Sequence, residues 1–195
     1  MKTTVKSFFL LMFASATLAG CDNCGTTSIL EPTVEDTQWL VYGNGDVALF
    51  NNAGDTVTYQ RTGIYAQNVP GEGYSVTDDC IEKLNTQVTN IIEDKERKMP
   101  YLGTYVLKKP DSLIVKVGVG SKNAWEIKPT TDTPQTVEVG EGETKKTYTD
   151  VYVLTADSTA ADSPKEVYFS KEQGFIKVEL YNKKVLELIE LKKGK

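Results

Sequence analysis

Short runs of alternating apolar and polar residues recur along most of the chain, at the period of a β-strand. Between Ser112 and Val119 the residues Leu113, Val115, Val117 and Val119 share one face, with Ser112 and Lys116 opposite. Asp46–Phe50 and Thr56–Ala66 flank Asn51-Asn52-Ala53-Gly54-Asp55, which predicts a hairpin with a five-residue loop. Thr147–Thr155 sets Val151 and Val153 on one face and Tyr148, Tyr152 and Leu154 on the other, the pattern of a strand central in its sheet. Glu166–Ser170, Phe175–Tyr181 and Lys184–Leu191 predict a closing meander, broken at Gly174 and at Asn182-Lys183. In its middle strand Ile176, Val178 and Leu180 point one way, and Lys177 and Glu179 the other.

Asp78–Lys98 supports two assignments. Ile81, Leu84, Val88, Ile91 and Ile92 have helical spacing; Thr77 stands as a cap, and Lys95, Arg97 and Lys98 close the segment before Pro100. Leu84, Thr86, Val88, Asn90 and Ile92 also alternate, and Thr, Asn and Val are poor helix formers. Periodicity alone slightly favours the helix. Gly43-Asn44-Gly45 and Gly140-Glu141-Gly142 are turns, and 129–136 and 157–164 are polar loops. Residues 22–36 are small, polar and acidic and have the composition of a tether, with Trp39 opening the folded part. The expected fold is one mostly β domain over 37–195: an antiparallel curved sheet, half-barrel or sandwich, with a helix within 78–98 as the open alternative.

The start of the chain has a different pattern. Lys2 and Lys6 precede the apolar run Phe8–Ala14, and small residues follow. That order is a secretory signal peptide over 1–20, and the run is too short to span a bilayer, which takes about 20 apolar residues. The whole chain has a formal charge of −5; without 1–20, which hold Lys2 and Lys6 and no acid, it is −7. An acidic balance argues against nucleic acid as a partner and against attachment to anionic lipid through protein charge.

The tetrad Leu18-Ala19-Gly20-Cys21 directly after the apolar run resembles the lipobox of bacterial lipoproteins. The resemblance implies a diacylglyceryl group on the Cys21 thiol, cleavage before Cys21, and membrane attachment through lipid alone. It implies a cell-envelope location, with the outer membrane expected, at its periplasmic face or on the cell surface. Three cysteines are present, Cys21, Cys24 and Cys80. Acylation of Cys21 leaves one pair in a compartment that permits disulfides, so Cys24–Cys80 is the expected bridge. Two free thiols with Cys80 buried is the competing reading; zinc is a weaker third, since a structural site takes four ligands and the chain has no histidine.

TDVYVLTADST, EVYFSKEQGFIKVEL and VLELIEL look like the C-terminal meander of small envelope lipoproteins of Bacteroidetes, the matching positions being Tyr168, Phe169, Gly174, Phe175, Ile176 and Lys177. NNAGDTVTYQ and DDC also look like such proteins. The resemblance implies a strand after Cys80 and, by similarity to periplasmic lipoprotein carriers, a curved half-barrel. It implies no catalytic residue.

The absence of histidine excludes Ser–His and Cys–His catalysis. Ser121-Lys122 and Ser170-Lys171 are neighbours, which a strand points to opposite faces. Asn44, Asp46, Asn51, Asn52 and Asp55 lack the alternation of a calcium loop and are expected in turns. No catalytic, cofactor-binding or metal-binding residue is expected, and no cofactor. Trp39, Tyr42, Phe50, Tyr59, Tyr65, Trp125, Tyr152, Tyr168 and Phe175 are expected to pack in the core, with some available to line a groove. The expected function is a non-enzymatic binding module for a hydrophobic ligand. The alternatives are an accessory subunit of an envelope assembly and a small carboxylate-based hydrolase.

Overall fold

A computed structural model describes residues 24–194 except 122, 143–144, 157–159 and 161–162. The expected signal peptide and Cys21 therefore lie outside the described residues. The strands are β1 (Ser28–Leu30), β2 (Val47–Asn52), β3 (Asp55–Pro70), β4 (Lys83–Asp94), β5 (Leu102–Lys109), β6 (Ser112–Val119), β7 (Asn123–Ile127), β8 (Gln135–Val139), β9 (Lys146–Thr155), β10 (Pro164–Ser170), β11 (Gly174–Leu180) and β12 (Val185–Lys192). Among the described residues a single four-residue helix, α1, spans Val34–Thr37.

Eleven strands form one antiparallel sheet in the order β7-β6-β5-β4-β3-β2-β12-β11-β10-β9-β8, and β1 adds to β4 in parallel. Almost every neighbour in space is a neighbour in sequence; the exceptions are β1 beside β4 and β12 beside β2, the latter bringing the last strand next to one of the first. The sheet curls into the expected half-barrel. Near its seam the Trp125 indole N–H donates to the Thr155 carbonyl at 2.8 Å, tying β7 to β9.

The curl follows from one apolar face. Phe50, Tyr59, Ile92, Leu102, Val106, Val115, Phe169, Phe175 and Leu186 are fully or almost fully buried in one cluster. Each such side chain removed from water contributes about 1.5–3 kcal/mol before conformational entropy is charged against it. The cluster is completed by the chain's own entry segment. Thr33 and Asp36 cap α1 reciprocally, the Asp36 N–H donating to Thr33 Oγ1 and the Thr33 N–H to Asp36 Oδ2. Lys108 Nζ lies 3.1 Å from Asp36 Oδ2, fixing α1 on β5. Beyond it, Trp39 and Tyr42 are 4% and 2% exposed. Trp39 stacks on Phe169 and Tyr42 on Phe175. The Asn90 amide of β4 donates to the Tyr42 carbonyl at 2.8 Å, and the Phe175 N–H of β11 donates to the Tyr42 hydroxyl at 2.8 Å. Residues 34–42 thus strap β4 and β5 to β10 and β11 across the inner face.

Four expectations change. No helix forms within 78–98: β4 occupies it, because β3 and β5 pair with both its edges and Val88 and Ile92 reach the core by alternation. The acids near Thr77 serve a turn instead, the Ser75 N–H donating to Asp78 Oδ2. The β2–β3 hairpin turns on two residues, Ala53 and Gly54, at φ of 53° and 96°, not on five; that left-handed pair matches the twist of the flanking strands. β9 is not central but next to the β8 edge, and its second apolar face serves a separate small cluster of Val139, Val151 and Ile176. Two bulges sort residues into that cluster. Thr149 and Asp150 together oppose one β8 residue, turning Tyr148 to the side of Val151 and Val153. Ile176 is the extra residue opposite Tyr168 and Phe169, so it faces away from Val178 and Leu180. Finally, the described part of the expected tether is structured: it holds β1, α1 and a disulfide, and the fold begins well before Trp39.

Candidate functional site

The β3–β4 hairpin is longer than the sheet around it. β2 accompanies β3 only from Asp55 to Gln60, whereas β4 runs beside β3 to Pro70. Ten more residues of β3, Arg61–Pro70, therefore pair on one edge only among the described residues. Antiparallel geometry turns the N–H and C=O of every second residue toward that open side.

Most open edges carry charges that discourage another strand. Here Thr62–Pro70, nine residues, holds no charged side chain, in a chain where 25% of residues are charged. Ile64 to Asn68 are exposed, Ile64 by 51% and Tyr65 by 59%. A bulge at Thr62 begins the segment, since Arg61 pairs with Ile92 and Gly63 with Ile91. The Tyr65 ring covers Gly63 so closely that a Cβ there would overlap it. The aromatic ring replaces the side chain the glycine lacks, an arrangement that steadies an edge strand. Pro70, without an N–H, ends it.

The far end of the hairpin is clasped. Cys24 and Cys80 form the expected disulfide, with Cα atoms 5.3 Å apart. It places β1 beside β4 in the register Ser28↔Lys83, Ile29↔Leu84 and Leu30↔Asn85. Thr27 Oγ1 donates to the Ile81 carbonyl at 3.0 Å, and the Ser28 N–H to the Glu82 carbonyl at 2.8 Å. Within the tip the Gly71 N–H donates to the Lys83 carbonyl, and the Tyr74 hydroxyl to Glu82 Oε2 at 3.3 Å. Desolvation, then the Glu82 carboxylate, raises the Tyr74 phenol above its ordinary value. The tip is acidic, with Glu72, Asp78, Asp79 and Glu82, and Val76 at its end is 81% exposed.

Several other residues singled out in the sequence have structural partners. Asp46 accepts the N–H groups of Gly43 and Gly194 and pairs with Lys193 Nζ at 3.0 Å. Asn51 Oδ1 accepts the Gly54 N–H inside the hairpin turn. No group of three metal-ligating side chains occurs among the described residues. Ser170 donates to Asp150 Oδ2 and accepts the N–H groups of Glu172 and Gln173, while Lys171 lies over the Trp39 ring, so the two side chains diverge. Lys122, of the other Ser–Lys neighbour pair, lies outside the described residues. Trp39, Tyr42, Phe50, Tyr59 and Phe175 are buried core and Trp125 and Tyr152 pack against it, whereas Tyr168 joins the smaller cluster. Tyr65 alone of the nine sits on the open edge. A depression beside Trp39 has Leu113, Ile114 and Pro129 in its lining and Glu35, Asp111, Glu126, Lys128 and Lys171 around them, so apolar and charged groups share it.

The clasp is legible in the cysteine arithmetic; the open edge is not. Its signal was the uncharged run Thr62–Gly71, visible without coordinates, but only the strand lengths reveal that one side of it is free. The chain matches no protein-family model, no curated protein and no solved structure.

Proposed function

We propose that this protein is a non-enzymatic accessory subunit of the cell envelope, anchored by lipid on Cys21, that binds an extended segment of another envelope protein along the open edge of β3. The observation that carries this reading is the uncharged run Thr62–Pro70, which pairs with β4 on one edge and with no described strand on the other. Strand addition draws its affinity from main-chain hydrogen bonds and its selectivity from alternate side chains. Ile64 and Tyr65 supply apolar contact on opposite faces of such a strand. Another protein is favoured over a second copy because a net charge of −7 on each processed chain opposes self-approach. The hydrophobic-ligand reading has less to stand on, because Trp39 and Tyr42 fill the inner face where a half-barrel would keep its cavity.

A photo-crosslinking residue in place of Tyr65, expressed in the native cell, tests the edge. The expected result is a defined adduct with a different envelope protein, lost when Ala66→Lys and Gln67→Lys are added although the thermal midpoint stays within error. Adducts only to the chain itself, no adduct, or adducts indifferent to the lysines overturn it. For the anchor, Cys21→Ser is expected to leave unprocessed or soluble protein. Normal processing with membrane retention overturns that part.

A further inference from the structure

The sequence leaves two residues, Asp22 and Asn23, between the proposed lipidated cysteine and the clasped one. Three Cα steps span at most ~11 Å. Cys24 is bonded to Cys80, at the base of the β3–β4 tip, and β1 holds the following residues against β4. The apparent tether is therefore too short and too firmly held to let the domain swing freely. We infer that the clasp fixes the orientation of the whole domain, with tip residues 71–82 facing the lipid surface and the β2–β3 turn pointing away from it. This rests on Cys21 carrying the lipid.

The tip chemistry fits a surface it approaches without entering. Tyr74 is the kind of side chain that rests among headgroups, and Val76 at the end of the tip is 81% exposed. Glu72, Asp78, Asp79 and Glu82 oppose immersion and repel an anionic bilayer. The occupant of this face is thus the zwitterionic headgroup layer beside the protein's own anchor. β3 then runs toward the membrane from Asp55 to Pro70, so an antiparallel partner strand must run away from it. A second copy anchored in the same leaflet presents its β3 in the wrong direction, which agrees with a different protein on that edge.

The test uses the full lipidated protein reconstituted in phosphatidylcholine vesicles that contain a fraction of headgroup-spin-labelled phosphatidylcholine. Fluorophores are attached through an azide-bearing residue in place of Val76 or, separately, of Lys184, which is exposed at the opposite end beside the β2–β3 turn. Flotation first reads the anchor by itself: protein that does not float with vesicles defeats the lipid reading and this inference together. For protein that floats, quenching is expected to be strong at 76 and weak at 184. Replacing Cys24 and Cys80 together by Ser is expected to shrink that difference while flotation is unchanged. Equal quenching at the two positions in the disulfide-bonded protein, or a difference untouched by the double Ser variant, overturns the inference with the anchor intact.

Discussion

At Gly174 the backbone enters β11 with φ of +76°, and a Cβ added there would overlap the Tyr42 hydroxyl. Two constraints meet at this position: a left-handed conformation that L side chains avoid, and a phenol that must come close to accept the Phe175 N–H. Gly174→Val is accordingly expected to cost about 2–4 kcal/mol in urea unfolding. Tyr42→Phe leaves the Phe175 N–H without a partner and is expected to cost about 1–3 kcal/mol. If the contact matters as described, Gly174→Ala costs less in the Tyr42→Phe background than in the wild type; additive effects would mean the two groups do not touch. Asp46 offers a separate test by pH. Burial raises its carboxyl, but the Gly194 and Gly43 N–H groups and Lys193 outweigh that and hold it below the ordinary 3.8. A depressed folded-state value stabilises above the unfolded value, and the contribution disappears as pH falls through the folded one. Asp46→Asn is thus expected to be less stable at neutral pH and to lose less stability than wild type on acidification below ~3.8. Parallel losses in both proteins would count against the assignment.

The elements differ in how far local pattern determines them. β6 could be read directly, because Val115, Val117 and Val119 alternate on a strand with one buried face. Ile176 and Tyr148 were assigned to the wrong faces because a bulge shifts the two-residue period by one, and nothing in the local spacing marks where the extra residue falls. β4 was ambiguous because Ile91 and Ile92 adjoin, so a helical face and a strand face both account for them. β1 was missed for another reason. Three residues, Ser28-Ile29-Leu30, carry no period, and their parallel partner lies more than 50 residues away. A strand of three residues makes few hydrogen bonds of its own, and the disulfide just before it holds it beside β4. The closed loop covers a sequence separation of 56, for which loop-closure entropy gives roughly 4 kcal/mol. Replacing both cysteines by Ser is expected to lower stability by up to that amount. It should also speed amide exchange at Ser28–Leu30 far more than at Val115–Val119. Equal acceleration in the two strands would show that β1 belongs to the global unfolding unit without help from the clasp.

On the scale of the whole molecule, the entry segment acts as the strap of the half-barrel. Trp39 touches Phe169 and Tyr152 on one flank of the sheet, while Asp36 and Tyr42 engage Lys108 and Asn90 on the other. Removing the indole takes away a large buried surface and the main filler of the inner face. Trp39→Ala is expected to cost about 3–5 kcal/mol. The variant should also bind a hydrophobic dye under native conditions, with little binding by the wild type. Strong dye binding by the wild type would restore the case for a ligand cavity. Trp39 and Tyr42 are legible in the sequence as core residues at the start of the fold, but residues 31–36 have the composition of a tether, and only the curl shows that the segment crosses the inner face as a strap.

The clasp also has a history. Its two sulfurs are far apart along the chain, so in the export proposed for this protein Cys24 would leave the cytoplasm well ahead of Cys80. In that interval its nearest thiol is Cys21, three positions away. Oxidation at that moment would join Cys21 to Cys24 and remove the very sulfur that lipid must modify. Acylation first makes Cys21 inert and leaves Cys24 a single choice. With lipid on Cys21 as proposed, maturation would be a race between a lipid transferase and an oxidant, and the order in which they arrive would decide whether a protein becomes anchored and folded or is left as a dead end.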